Sequence, residues 1–164
     1  MSGILARLVL PLLLLSSVLA FAQERPACTM MKGLDLKPLL GADHDAPVPF
    51  GTNSCRAESN SPGRLIILAV EEGKAAEIKS NLASMKKLMT QHRAKEAVIA
   101  AEPSLGPDAF SVRERAGTRG IEVYALKGSR FLNIQGSWPF KQPMDDATAK
   151  QLVGLLKMVQ DKLP

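Results

Sequence analysis

The sequence predicts an α+β fold: a two-layer sandwich whose antiparallel sheet of about five strands carries helices on one face, in the order α-β-β-α-β-β-β-α. Three observations lead there. Apolar residues recur at helical spacing in two long segments, one in the middle of the chain and one at its end. Short runs rich in Val, Ile and aromatic residues alternate with polar residues between 110 and 135. The turns between those runs are short and carry glycine, which suits antiparallel neighbours, whereas parallel strands need a long crossover.

Residues 1–22 are expected to be a signal peptide. One positive charge, Arg7, precedes the apolar run LVLPLLLLSSVLAFA, and Ala20-Phe21-Ala22 is a small-x-small cleavage motif. The expected cut falls between Ala22 and Gln23, with a cut after Ala20 as second choice. The apolar run holds 15 residues and includes Pro11, whereas a spanning helix needs about 20 apolar residues. The mature chain is therefore expected to have no transmembrane segment. Removal of 22 residues from 164 leaves 142, a single globular α+β domain over 23–164. Loss of Arg7 takes the net charge from +5 to +4. That balance is too small to point to nucleic acid.

The elements follow in order. CTMMKGLDLKPLLG reads as a short helical segment in which Asp35 caps a second turn, Pro38 sits in that first turn and Gly41 terminates it. ADHDAPVPFGTNS, with two prolines among turn formers, reads as a loop. CRAES alternates, NSPG is a turn and RLIILAV is a buried strand, so a hairpin starts at the second cysteine. From Glu71 the period changes: Ile78, Leu82, Met85 and Met89 define one helix face. Glu71, Glu72 and Glu77 come early and Lys86, Lys87 and Arg93 late, an order that complements the helix dipole. EAVIAAEPSLGPD is a short extended piece and a Pro/Gly loop. AFSVRER, IEVYAL and RFLNIQ form a three-stranded meander. Asp145 or Asp146 then caps a last helix carrying Leu152, Leu156, Val159 and Leu163 on one face.

Cys28 and Cys55 are the only cysteines. Cys28 follows ERPA, which lacks the small-residue context of a lipid attachment site. An exported chain meets an oxidising compartment, so a Cys28–Cys55 disulfide is expected, with a free or metal-bound thiol as the alternative. The loop it closes spans 28 residues counted inclusively, which the chain-entropy relation values at about 3.6 kcal/mol.

The cysteine-led helix ending at a glycine, TNSC at the first strand, AEPSLGPDAF and IEVYALKGSRFLNI together resemble a group of small exported bacterial proteins. Many of these are lipoproteins, and many are known only as domains of unknown function. The turn Ser104-Leu105-Gly106-Pro107-Asp108-Ala109-Phe110 departs from the group's Gly-Leu-Gly-acid-x-Ala-aromatic pattern at Ser104 and at the inserted Pro107. The resemblance implies the fold and the disulfide. It implies no activity.

Candidate chemistry is sparse. Ser84-x-x-Lys87 matches the nucleophile motif of penicillin-recognising enzymes, but the companion S-D-N and K-T-G elements are absent. Asp43-His44-Asp45 is the densest ligand cluster and lacks an evident third ligand, so a solvated loop is expected and no metal or cofactor. His92 sits where it complements the helix dipole. Arg113, Arg115, Arg119 and Arg130 cluster on the meander, either as a solvated face or as a basic surface for an anionic envelope partner. Trp138, Phe140 and Lys141 place two large rings and a cation in a proline-fixed loop, and are the candidate binding residues. The alternative for the rings is that they cap the open end of the sandwich.

These readings exclude no class outright but rank them. First stands a periplasmic or secreted, non-enzymatic module binding an envelope ligand or protein partner. An inhibitor that inserts the WPF or SLGPD loop into an envelope or foreign enzyme comes second, and a small hydrolase third.

Overall fold

A computed structural model describes residues 26–60, 63–114, 120–139 and 144–164. The expected signal peptide and its cleavage site at Ala22 and Gln23 lie outside the described residues, as do Arg115, Arg119, Phe140 and Lys141.

The chain is α+β. Its elements are α1 (Pro26–Lys32), α2 (Lys37–Leu40), β1 (Val48–Phe50), β2 (Ser54–Glu58), β3 (Leu65–Glu72), α3 (Ala75–Arg93), β4 (Ala97–Ala101), β5 (Phe110–Glu114), β6 (Gly120–Lys127), β7 (Arg130–Ser137) and α4 (Asp146–Lys162). Among the described residues, seven strands form one antiparallel sheet in the order β1-β2-β3-β7-β6-β5-β4. Two meanders build it. β1–β2–β3 comes first; the chain then crosses through α3 to the far edge, and β4–β5–β6–β7 returns until β7 pairs with β3.

Two strands exceed the expected five. β1 lies in the segment read as a loop, where Pro49 masks the strand signal. Proline is tolerated there because β1 is an edge strand and needs no donor on its outer side. β4 is the short extended piece after α3, which pairs with β5 over five residues. The helix boundary also shifts. Glu71 and Glu72 extend β3, pairing with Phe131 and Arg130, and the Arg130 Nε–Glu72 Oε1 ion pair of 2.6 Å closes that end. α3 therefore starts later, and of the three early acids only Glu77 lies in its first turn.

The helices do not share one face of the sheet, contrary to the expectation from sequence. Ile66, Leu68 and Val70 of β3, Val123 and Ala125 of β6, and Leu132 and Ile134 of β7 project to the side covered by α1, α2 and α4. Phe110, Val112 and Tyr124 project to the other side, where they meet Leu82, Met85 and Met89 of α3. The period-two alternation of a strand forces this division. α3 joins the interior strand β3 to the parallel edge strand β4; the side of such a crossover is set by its handedness within the sheet and not by the helix's own sequence, and here α3 crosses opposite the rest.

Local chemistry fixes the ends. The Asp35 carboxylate accepts from the Lys37 N–H at 3.2 Å, and Gly41, at φ 92°, closes α2 with its N–H on the Lys37 carbonyl. Asp145 caps α4 by accepting from the Thr148 N–H at 2.7 Å. Hydrogen bonds from Thr148 hold the Asp145 carboxyl below the usual carboxylate range.

The Cys28–Cys55 disulfide is present, joining α1 to β2 with a Cα–Cα distance of 4.9 Å. Both residues are buried in the main core. Since α1 and α2 are short, the bridge anchors the N-terminal segment more firmly than their own hydrogen bonds do. Replacing Cys28 by Ser is expected to lower stability by about 2–5 kcal/mol, read as a shift of the urea midpoint with one thiol newly titratable.

Gly136 holds a second close approach. A Cβ there would lie 2.5 Å from Leu152 Cδ1 and 2.6 Å from Trp138 Cζ3. Gly136→Ala is expected to destabilise by about 1–3 kcal/mol through overpacking. An unchanged denaturation midpoint would show that the indole moves aside freely.

Candidate functional site

The layout of helices leaves part of the sheet bare on the α1/α2/α4 side. α4 packs chiefly over β6 and β7, and meets β5 through the Asp146–Arg113 pair. Val98 and Ala100 of β4 and Ser111 and Arg113 of β5 point into the gap, opposite Ala149, Lys150 and Val153 of α4. The result is a cleft of about 450 Å³, within the size range of ligand sites.

Its walls come from three stretches of chain. The α4 wall starts at the first helical residue, Asp146, which pairs with the Arg113 guanidinium and ties the helix to β5. At the edge-strand end, the Ser111 hydroxyl donates to Glu102 Oε1 at 2.6 Å. Ser111 is itself buried, at 5% exposure, so its alcohol is held against the carboxylate beneath the cleft surface. Val98, Ala100, Ile121, Ala149 and Val153 supply apolar lining. The arrangement offers apolar contact between groups of both charges. Of its two lining hydroxyls, that of Ser111 is held against Glu102 and that of Ser104 is exposed.

Gln160 braces this region. Its side-chain amide donates to the Leu105 and Leu126 carbonyls, each at 2.8 Å, linking α4, the 3₁₀ turn Pro103–Leu105 and β6. Leu105 is buried in the core, and Lys79 pairs with Asp108 at 3.3 Å. The SLGPD segment is thus pinned to the body.

The opposite face carries a polar cluster beyond the end of α3. Arg93 Nη1 donates to Glu122 Oε1 at 3.3 Å, and the Tyr124 hydroxyl donates to the other oxygen of Glu122. Gln135 donates to Asn133 Oδ1 at 2.9 Å, and Asn133 donates to the Val123 carbonyl at 3.1 Å. The adjoining hollow is smaller, about 180 Å³. Phe110 stacks on Tyr124 with centroids 4.9 Å apart.

The residues singled out from sequence are scattered. Trp138 is 5% exposed and packs in the main core; its partners Phe140 and Lys141 lie outside the described residues. Ser84 and Lys87 are exposed on α3, and the half-buried Met85 between them faces the core. His44 bonds through Nδ1 to the Asp45 carbonyl at 2.9 Å and forms an isolated bridge with Ser59. Among the described residues no three His, Cys, Asp or Glu side chains gather as a metal site. Arg113 and Arg130 each pair with a carboxylate, Asp146 and Glu72. The cleft residues Glu102, Ser111, Asp146 and Lys150 were not anticipated as a site. They are distant in sequence, and no spacing rule joins them.

No family model, curated protein or solved structure matches this chain. Among the described residues no helix is long and apolar enough to cross a membrane.

Tyr124 is the only tyrosine, so its ionisation can be followed directly. Burial raises its pKa, and the hydrogen bond to Glu122 and that carboxylate's charge push it further up, against the opposing Arg93. A folded pKa above the unfolded value means that the phenol's contribution to stability is full below the ordinary tyrosine value of about 10 and is lost as pH rises beyond it. The phenolate absorbance of the folded protein is expected to stay absent at about pH 10, where the urea-unfolded chain is half ionised. Equal titration curves for both states would contradict this placement of Tyr124.

Proposed function

We propose that this chain is an exported bacterial protein of the periplasm or cell exterior that acts by binding and not by catalysis, and that the cleft between α4 and the β4–β5 edge is its binding site. The observation that carries the reading is the cleft itself: a cavity of about 450 Å³ with apolar walls and a rim of charged residues, Glu102, Arg113, Asp146 and Lys150. A few placed polar groups around apolar lining are what a small-ligand or side-chain pocket needs. The disulfide agrees with an oxidising compartment.

The rival readings draw less support. An inhibitor needs a rigid projecting loop. The SLGPD segment instead buries Leu105 and is held by Gln160, and Trp138 of the WPF segment is in the core. A hydrolase needs an accessible nucleophile beside a base. In the cleft, Ser111 is buried against Glu102, and among the described residues the exposed Ser104 has no hydrogen bond to a base.

The test is native mass spectrometry on protein purified from the periplasm without denaturant. The expected spectrum contains a non-covalent adduct that is released on denaturation. Ala100→Trp, which fills the cleft from an exposed strand position, should remove the adduct while leaving the fold intact by circular dichroism. Bare wild-type protein throughout, or an adduct indifferent to Ala100→Trp, would count against the cleft as the binding site.

A further inference from the structure

The cleft opens at a sheet edge, and the two edges of this sheet differ in kind. β1, at one edge, is three residues long and has Pro49 at its centre. Shortness and proline are standard protections against strand addition. β4, at the other edge, is AVIAA: five residues without charge, proline or bulge. Among the described residues its only strand partner is β5, so alternate N–H and C=O groups along its outer side have no ladder to join. Val98 is 41% exposed. Val98 and Ala100 stand on the same face and line the cleft, so a strand laid against β4 would set its own alternate side chains at the cleft mouth.

We propose that the outer edge of β4 is a docking site for an extended peptide segment of a partner protein, which joins the sheet as an eighth strand and places an apolar side chain in the cleft beside α4. The proposal rests on the binding reading above and names its ligand class. Strand addition of this type takes affinity from main-chain hydrogen bonds and selectivity from a pocket for alternate side chains. β4 and the cleft supply one of each. A segment of five residues matches the strand, about 17 Å long.

A second copy of the chain fits less well. Antiparallel pairing of two β4 strands over all five residues centres on Ile99 and sets Glu96 of each copy opposite Glu102 of the other. Two facing like-charge pairs oppose that register. A foreign peptide carries no such constraint.

The experiment pans the mature, disulfide-bonded protein against displayed random peptides about seven residues long, enough to span the strand. Enriched peptides are then synthesised and their affinity measured by fluorescence anisotropy. Enriched sequences are expected to share one apolar position. N-methylation of alternate peptide nitrogens should weaken binding about tenfold, and methylation of the intervening ones should not. Ala100→Trp should abolish binding, and Val48→Trp on the opposite edge should leave it intact, with both variants checked for an unchanged melting transition. Amide exchange should slow within 97–101 on binding.

Failure to enrich any peptide, an N-methyl scan without alternation, or binding indifferent to Ala100→Trp would each overturn the proposal. So would a concentration-dependent dimer in sedimentation that Ala100→Trp dissociates, since it would assign the edge to a second copy. A small-molecule adduct in native mass spectrometry without peptide enrichment would sink the peptide and leave the binding reading standing. Absence of both would sink the two together.

Discussion

Everything in this molecule depends on the pairing of β3 with β7. It runs over eight residue pairs, from Leu65–Ser137 to Glu72–Arg130, and it is the seam between the two meanders. Without it there would be a three-stranded ribbon and a four-stranded one, each with an extra open edge. The seam also sets the parity of both faces. With Leu68 opposite Ile134 and Val70 opposite Leu132, the large aliphatic side chains of both central strands fall on one side. That side becomes the main core, and α1, α2 and α4 are drawn to it. A one-residue slip would turn those side chains outward, so burial of this patch specifies the register.

A seven-stranded sheet presents more surface than four helices of these lengths can cover. On the core side α4 lies over the central strands, and α1 packs by β2 and β3. On the other side, among the described residues, α3 buries the aromatic stack and its aliphatic neighbours. The uncovered remainder is handled differently on the two faces. Beyond α3, Arg93, Glu122, Tyr124, Asn133 and Gln135 satisfy one another, which suits groups held in partly buried surroundings. Beside α4 the bare strands carry small and apolar residues, and a hollow remains. One face closes upon itself chemically, and the other keeps an open hollow.

Much of the framework was legible in the sequence because it depends on local periodicity. The Ile78, Leu82, Met85 and Met89 stripe does face the sheet, and Leu152, Leu156 and Val159 are buried as their spacing requires. The hairpin at Cys55, the meander after Phe110 and the disulfide are also where local signals put them. The rest is non-local. An amphipathic helix declares which side of itself is buried and says nothing about which side of the sheet it meets, so the crossing of α3 was hidden. β1 and β4 are stabilised by their neighbours, and their own residues, Pro49 in one and three alanines in the other, argue weakly for strands. Gln160 did carry a readable signal, lying four residues after Leu156 on the buried stripe, where a polar side chain demands partners. Gly136, two residues before Trp138, carried another, since a glycine in a strand beside a large ring leaves space for it.

The cleft's open edge raises the question of what holds it in shape, because a loose strand at a sheet margin gains little from binding if it must first be ordered. β4 is restrained from several directions. It follows directly on α3, whose end is held to β6 by Arg93 and Glu122. It leads into a turn locked by the Glu102 N–H on the Ala109 carbonyl and by buried Leu105. Gln160 fastens that turn to α4, which forms the opposite wall. Arg113 and Asp146 fasten the near end of the same helix to β5. Both walls are therefore tied to one frame, and the side-chain ties of Arg93, Arg113 and Gln160 each reach a partner at least 29 residues away. A cleft built this way is set by the tertiary fold and not by its own loops, so an occupant meets walls already in place.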